Sequence, residues 1–216
     1  EITTRLVGSE MCIRDRIIDY LDGRGVKLVV IACNTLTVLG VDTLKGSHAF
    51  EIVGMSKGAQ LVLAASSRKK IGVFATEFTI NSGAHKAAIL AADDGADVYP
   101  QACPKFVPLI EGEQFDGAEV RAAVAEYAAP LKAAGIDTLI LSCTHYPFIQ
   151  KEIESEFGSE VTVIDPADAT AQDTKTVLAA EGLLRSEGAG TLEVCFTADV
   201  EPVSYTHLTL PTICSV

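Results

Sequence analysis

Val26-Lys27-Leu28-Val29-Val30-Ile31-Ala32-Cys33-Asn34-Thr35 and Ile136-Asp137-Thr138-Leu139-Ile140-Leu141-Ser142-Cys143-Thr144-His145 are two copies of one pattern. Each follows a helical stretch and a glycine, Gly25 or Gly135, and runs through apolar residues to a cysteine with polar residues behind it. Short apolar runs bounded by turn signals read as buried strands. Further along, Glu51-Ile52-Val53-Gly54 matches Glu160-Val161-Thr162-Val163-Ile164 at nearly the same offset. A helix–strand–cysteine–helix–strand unit therefore occurs twice, too few copies for a solenoid. The pattern predicts an α/β fold: two pseudo-symmetric α/β lobes with mainly parallel sheets flanked by helices, and a site in the cleft between them.

Working outward, strands are expected at 28–32, 52–54, 71–74, 98–99, 138–141, 161–164 and 192–196, and helices at 17–23, 82–92, 120–134 and 170–185. Residues 1–16 have no clear period, and residues 203–216 are Thr-rich and unlike the rest. Both read as scars foreign to the domain.

Asp and Glu number 29 against 17 Lys and Arg, a formal charge of −12. Nucleic acid needs clustered cations, and the longest basic run, Arg68-Lys69-Lys70, reads as a solvated edge. No long apolar stretch suits a membrane span, so no membrane partner is expected. At 48% hydrophobic residues, bulk disorder is excluded. The six cysteines are too sparse for a disulfide scaffold and form no CxxC pair, which suits a reducing cytoplasm.

Ligands of open α/β sheets bind beyond the carboxyl ends of the strands. A helix starting just after each cysteine favours anions and a lowered thiol pKa. Two thiols facing each other from opposite lobes suit racemisation, one removing a proton as base and the other returning one as acid. That chemistry needs no cofactor, and no phosphate loop, pyridoxal-lysine site or metal motif is apparent. Cys12, Cys103, Cys195 and Cys214 read as packing residues, whereas the matched places of Cys33 and Cys143 favour a functional role. A metal held by Cys33, Cys143 and His145 is the weaker rival, because a structural zinc site takes four ligands.

Ala32-Cys33-Asn34-Thr35, Thr76-Glu77-Phe78-Thr79-Ile80-Asn81-Ser82-Gly83-Ala84, Gln101-Ala102-Cys103-Pro104-Lys105-Phe106-Val107-Pro108-Leu109 and Cys143-Thr144-His145-Tyr146-Pro147 resemble, in this order, the glutamate racemases of the aspartate/glutamate racemase superfamily. The resemblance covers roughly residues 17–200. It implies cofactor-independent interconversion of L- and D-glutamate, supplying D-glutamate for peptidoglycan, by a cytoplasmic enzyme that associates as a homodimer. It makes Cys33 and Cys143 the catalytic thiols, with Cys33 usually serving the D-enantiomer. His145 and Glu111 would assist Cys143, the alternative for Glu111 being a solvated residue beside Glu113. Asn34, Thr35, Thr76, Thr79, Thr144 and His145 would bind substrate, and no metal is implied. The resemblance also sets the lobes: 1–57 as the first, 58–166 as the second, and 167–216 returning to the first, with residues 192–198 as one of its strands.

Two departures shape the expectation. Ala75 stands where the family has glycine before the Thr-x-x-Thr stretch. Nothing in residues 1–32 matches the family's opening Asp-Ser-Gly strand or its following Tyr-Gly segment, so the chain reads as N-terminally truncated. The rival readings are a racemase of aspartate or another amino acid, and an inactive amino-acid-binding fragment.

Overall fold

The computed structural model describes residues 2–44, 46–188, 190–193 and 195. The chain runs α1 (Ile2–Gly23), β1 (Leu28–Ile31), α2 (Asn34–Val38), α3 (Val41–Leu44), β2 (Glu51–Gly54), α4 (Ala59–Ala65), β3 (Lys70–Ala75), α5 (Glu77–Asn81) and α6 (Ala84–Ala92). It continues through β4 (Asp97–Ala102), α7 (Phe106–Glu111), α8 (Ala118–Ala134), β5 (Thr138–Ser142), a 3₁₀ turn (Tyr146–Ile149), α9 (Gln150–Phe157), β6 (Thr162–Ile164) and α10 (Ala167–Ala180). All strand pairs are parallel. β1 and β2 form one sheet, with Leu28 opposite Glu51 and Ile31 opposite Gly54. The other sheet has the order β4-β3-β5-β6. Parallel neighbours need long crossovers, which the helices supply.

β5 is buried along its whole length because both faces of its sheet are covered. Leu139 and Leu141 join Phe74, Phe106, Val124 and Ile153 on one face. Ile140 joins Val62, Val73 and Ile89 on the other. A smaller core under the first sheet gathers Ile18, Val29, Ile31, Phe50 and Ile52. Gly58 begins the crossover between the sheets in a left-handed conformation, φ +61°, and a Cβ there would run into Ile140 Cδ1. Glycine alone meets both demands.

Both ends of the described chain differ from what their sequence patterns suggest. Residues 2–16, which show no clear period in the sequence, lie within helix α1, which runs from Ile2 to Gly23. Arg14 and Ile18, one turn apart on one face, are 4% and 2% exposed. Arg14 reaches the Gly40 carbonyl at 3.4 Å, so a charged residue anchors the face where a periodicity reading looks for an apolar one. The strand expected at 192–196 is absent at its described residues 192, 193 and 195. Leu192 is exposed, and Glu193 pairs with Arg24 at the end of α1. Val194, residues 196–198 and the Thr-rich segment 203–216 lie outside the described residues.

His85, where α6 packs on α4, is 4% exposed and neither ring nitrogen has a hydrogen-bond partner. Burial, with the nearby Lys57 charge, pulls its pKa from 6.5 to about 4. The folded state keeps the ring neutral while the unfolded chain protonates it near 6.5. Between these values the unfolded state binds more protons, so stability falls as pH falls. The full loss is about 3 kcal/mol. Thermal melts between pH 7 and pH 4 should show this slope, and His85→Leu should flatten it. Equal slopes in the two proteins would contradict the assignment.

Candidate active site

The carboxyl ends of β1 and β5 carry the two cysteines. Cys33 leaves β1 in an extended conformation and caps α2. Thr37, one turn on, ties it down: Thr37 N and Oγ1 both donate to the Cys33 carbonyl, at 2.9 and 2.8 Å. Thr37 Oγ1 in turn accepts from Met55 N at 3.0 Å, which fixes the cysteine's turn to the end of β2. Cys143 follows β5 directly, and its carbonyl accepts from Tyr146 N at 3.1 Å. Its side chain is buried, and burial pushes the thiol up to about 12. Hydrogen bonds from the backbone N–H groups of His145 and Tyr146 act the other way, favouring the thiolate. Charge on Cys33 would raise the Cys143 pKa further, so the two thiols lie within electrostatic reach of each other.

Hydroxyls join the sheets beside the thiols. Thr35 Oγ1 bonds Thr76 Oγ1 at 2.9 Å and Thr79 Oγ1 at 3.3 Å, and Thr76 Oγ1 donates to Thr79 Oγ1 at 3.0 Å. Thr76 also caps α5, accepting from Thr79 N. Serine and threonine caps satisfy the open N–H groups of a first helical turn. Next to Cys33, Asn34 is 4% exposed and its Nδ2 has no hydrogen-bond partner. On the other sheet, His145 Nε2 meets Glu111 Oε1 at 2.5 Å, while His145 Nδ1 lies 4.0 Å from Cys143 Sγ. Glu111 ends α7 and thus belongs to a side-chain pair, not only to an acidic loop. Thr144 sits partly buried in the turn between Cys143 and His145.

The structure therefore gathers Thr35, Thr76 and Thr79 into one cluster, and Cys143, His145 and Glu111 into another, with Cys33 two residues before Thr35 in the chain. A family model described as Asp/Glu/hydantoin racemase matches residues 13–174. The chain belongs to this family. It is 40% identical over 165 residues to a glutamate racemase of Lysinibacillus sphaericus, covering 76% of this chain and 62% of that one. The crystal structure of a Bacillus anthracis glutamate racemase superposes with a TM-score of 0.77 at 32% identity, covering 82% of this chain and 67% of the other. That of a Francisella tularensis glutamate racemase in complex with D-glutamate gives 0.70 at 30% identity, covering 78% and 63%. The chain spans about three fifths of the length of the first curated relatives it matches.

Within this racemase-family site, Cys103 is 1% exposed and burial pushes its thiol far up, which suits packing. Asp137, a buried acid, lies at the opposite end of β5. It accepts from Ser66 Oγ, Ser67 Oγ and Arg68 N. Burial alone would raise its pKa, but these bonds win and lower it, so it is a structural carboxylate. Among the described residues no three His, Cys, Asp or Glu side chains are grouped to hold a metal ion, and no helix is long and apolar enough to cross a membrane.

Thr37 was not legible as a site residue, although threonine at the fourth position after a helix-capping carbonyl is a recurrent hydrogen-bonding pattern. The aromatic cluster under Cys143 had no sequence signal. Phe106 meets Phe74, Tyr127 and Tyr146 at ring-centroid distances of 5.8, 5.2 and 5.1 Å. Tyr146 OH donates to the Cys103 carbonyl at 3.3 Å.

Proposed function

We propose that this chain carries the two-thiol site of a cofactor-independent glutamate racemase. The observation that carries the reading is that Cys33 and Cys143 stand at matching places, each just past the carboxyl end of a parallel strand. In one direction the thiolate of one cysteine takes the α-proton while the thiol of the other delivers a proton to the opposite face. In the reverse direction the roles exchange. A thiol held near 12 is a proton donor at neutral pH, so Cys143 rests as the acid. The N–H groups of His145 and Tyr146 stabilise its thiolate once the proton has left, and the Glu111–His145 pair supports it from the side.

Asn34, Thr35, Thr76, Thr79 and Thr144 are the substrate's polar contacts in this reading. The buried amide of Asn34 supports that role, since such a donor is ordinarily satisfied. The chain's lobes divide near residues 57 and 166, and the enzyme works in the cytoplasm as a homodimer, supplying D-glutamate for peptidoglycan. Proton NMR of L- and D-glutamate with the chain in D₂O tests the activity. The α-proton signal of both enantiomers should disappear, and that of aspartate should persist. A folded chain that exchanges neither glutamate enantiomer would refute the proposal, and faster exchange of aspartate would reassign the substrate.

A further inference from the structure

Two arms leave the Glu111–His145 pair and meet again at a pair of stacked phenylalanines. One arm is the end of α7. Past Glu111 the chain folds back on the helix: Gly112 N donates to Pro108 O at 3.0 Å, Glu113 N to Ile110 O at 2.9 Å and Gln114 N to Leu109 O at 3.0 Å. Glu113 is held at φ +59°, a left-handed conformation that non-glycine residues avoid, and this turn delivers Phe115. The other arm is the 3₁₀ turn after Cys143, where Phe148 N donates to the His145 carbonyl at 3.1 Å. The rings of Phe115 and Phe148 stack with centroids 5.4 Å apart and planes at 26°. Both pack against the main core. A closed circuit results, running Glu111, Phe115, Phe148, His145 and back to Glu111.

The circuit has a chemical consequence. The Glu111 side chain is 37% exposed, so water competes for its carboxylate. A hydrogen bond in that position is kept by holding its two ends in place beforehand. Glu111 bound at Nε2 makes that nitrogen the N–H of the neutral ring, which leaves Nδ1 toward Cys143 Sγ. We infer that Phe115 and Phe148 are positioning residues whose stack clamps Glu111 on His145 and so fixes the imidazole tautomer beside Cys143. As a statement about rate, this rests on the racemase reading. As a statement about the imidazole, it stands alone.

The test separates the two. Ring ¹⁵N shifts of His145, assigned with His145→Gln, report the tautomer directly. In Phe115→Ala and in the milder Phe115→Leu the two nitrogen shifts should move toward each other, while Phe115→Tyr should keep the wild-type values. Glutamate α-proton exchange should fall about tenfold in Phe115→Ala, and by less than about twofold when the same change is added to Glu111→Gln. Unchanged nitrogen shifts in both Phe115→Ala and Phe115→Leu would overturn the clamp. So would an equal rate loss in the two backgrounds, which marks a fold effect acting independently of Glu111. If the wild-type chain exchanges no glutamate proton, the racemase reading fails, and the nitrogen shifts alone decide the clamp.

Discussion

Cys33→Ser and Cys143→Ser should each abolish racemisation, with losses of at least about a thousandfold in kcat. Serine keeps the shape of the side chain and removes its chemistry. A hydroxyl gives up its proton far less readily than a thiol, so it is a poorer acid, and its alkoxide is not populated as a base. Neither substitution threatens the fold. Cys33 is partly exposed, and a hydroxyl in place of the buried Cys143 thiol costs on the order of 1–3 kcal/mol. Thermal melts would separate such a cost from the catalytic loss. The residual chemistry is the sharper diagnostic. In the proposed mechanism, with one thiol gone, the other would still face one side of the α-carbon. It can exchange the α-proton of one enantiomer with D₂O without inverting it. The favoured enantiomer should be opposite in the two variants. Full racemisation in both variants would end the two-thiol account. The same enantiomer exchanging in both would end the two-face arrangement.

What was legible in the sequence, and what was not, follows from how each feature is encoded. β5 stands out because a strand buried on both faces is an apolar run, β1 because it is equally apolar although only alternate residues are buried, and each run leads into a cysteine. The repeat then aligns Cys33 with Cys143 without any knowledge of contacts. β4 was expected only at residues 98–99. It continues through Pro100 to Ala102 because it lies at the sheet's edge, where proline need donate to no outer neighbour. The strand expected at 192–196 shows the converse: a short run with apolar residues becomes a strand only if a neighbour's edge receives it. At the site, residues adjacent to the cysteines were found by position. The contacts that hold them were not. Thr35 meets Thr76, and Phe115 meets Phe148, across separations that no local period spans. Glu111 was balanced between a solvated acid and a partner of Cys143, and only its approach to His145 Nε2 separates the two.

Phe106→Ala should be the most damaging single change outside the thiols. Its ring is fully buried and touches three aromatic rings, two of them nearly edge-on at interplanar angles of 77° and 90°. Truncating such a side chain removes its transfer free energy and leaves a cavity that tightly packed neighbours fill only in part. The expected cost is about 3–5 kcal/mol, a large share of the roughly 5–15 kcal/mol that holds a typical domain folded. In a chain of this size the melting temperature should drop on the order of 10 °C. Phe106→Leu, which keeps much of the volume, should cost about 1–2 kcal/mol. The cavity would open directly beneath the site. Phe106 begins α7, which ends on Glu111, and it packs against Tyr146, the residue after His145. Activity measured well below the melting temperature should therefore fall further in the alanine variant than in the leucine variant. A melting temperature within a degree or two of wild type in Phe106→Ala would show that this aromatic cluster is not what holds the second sheet to its helices.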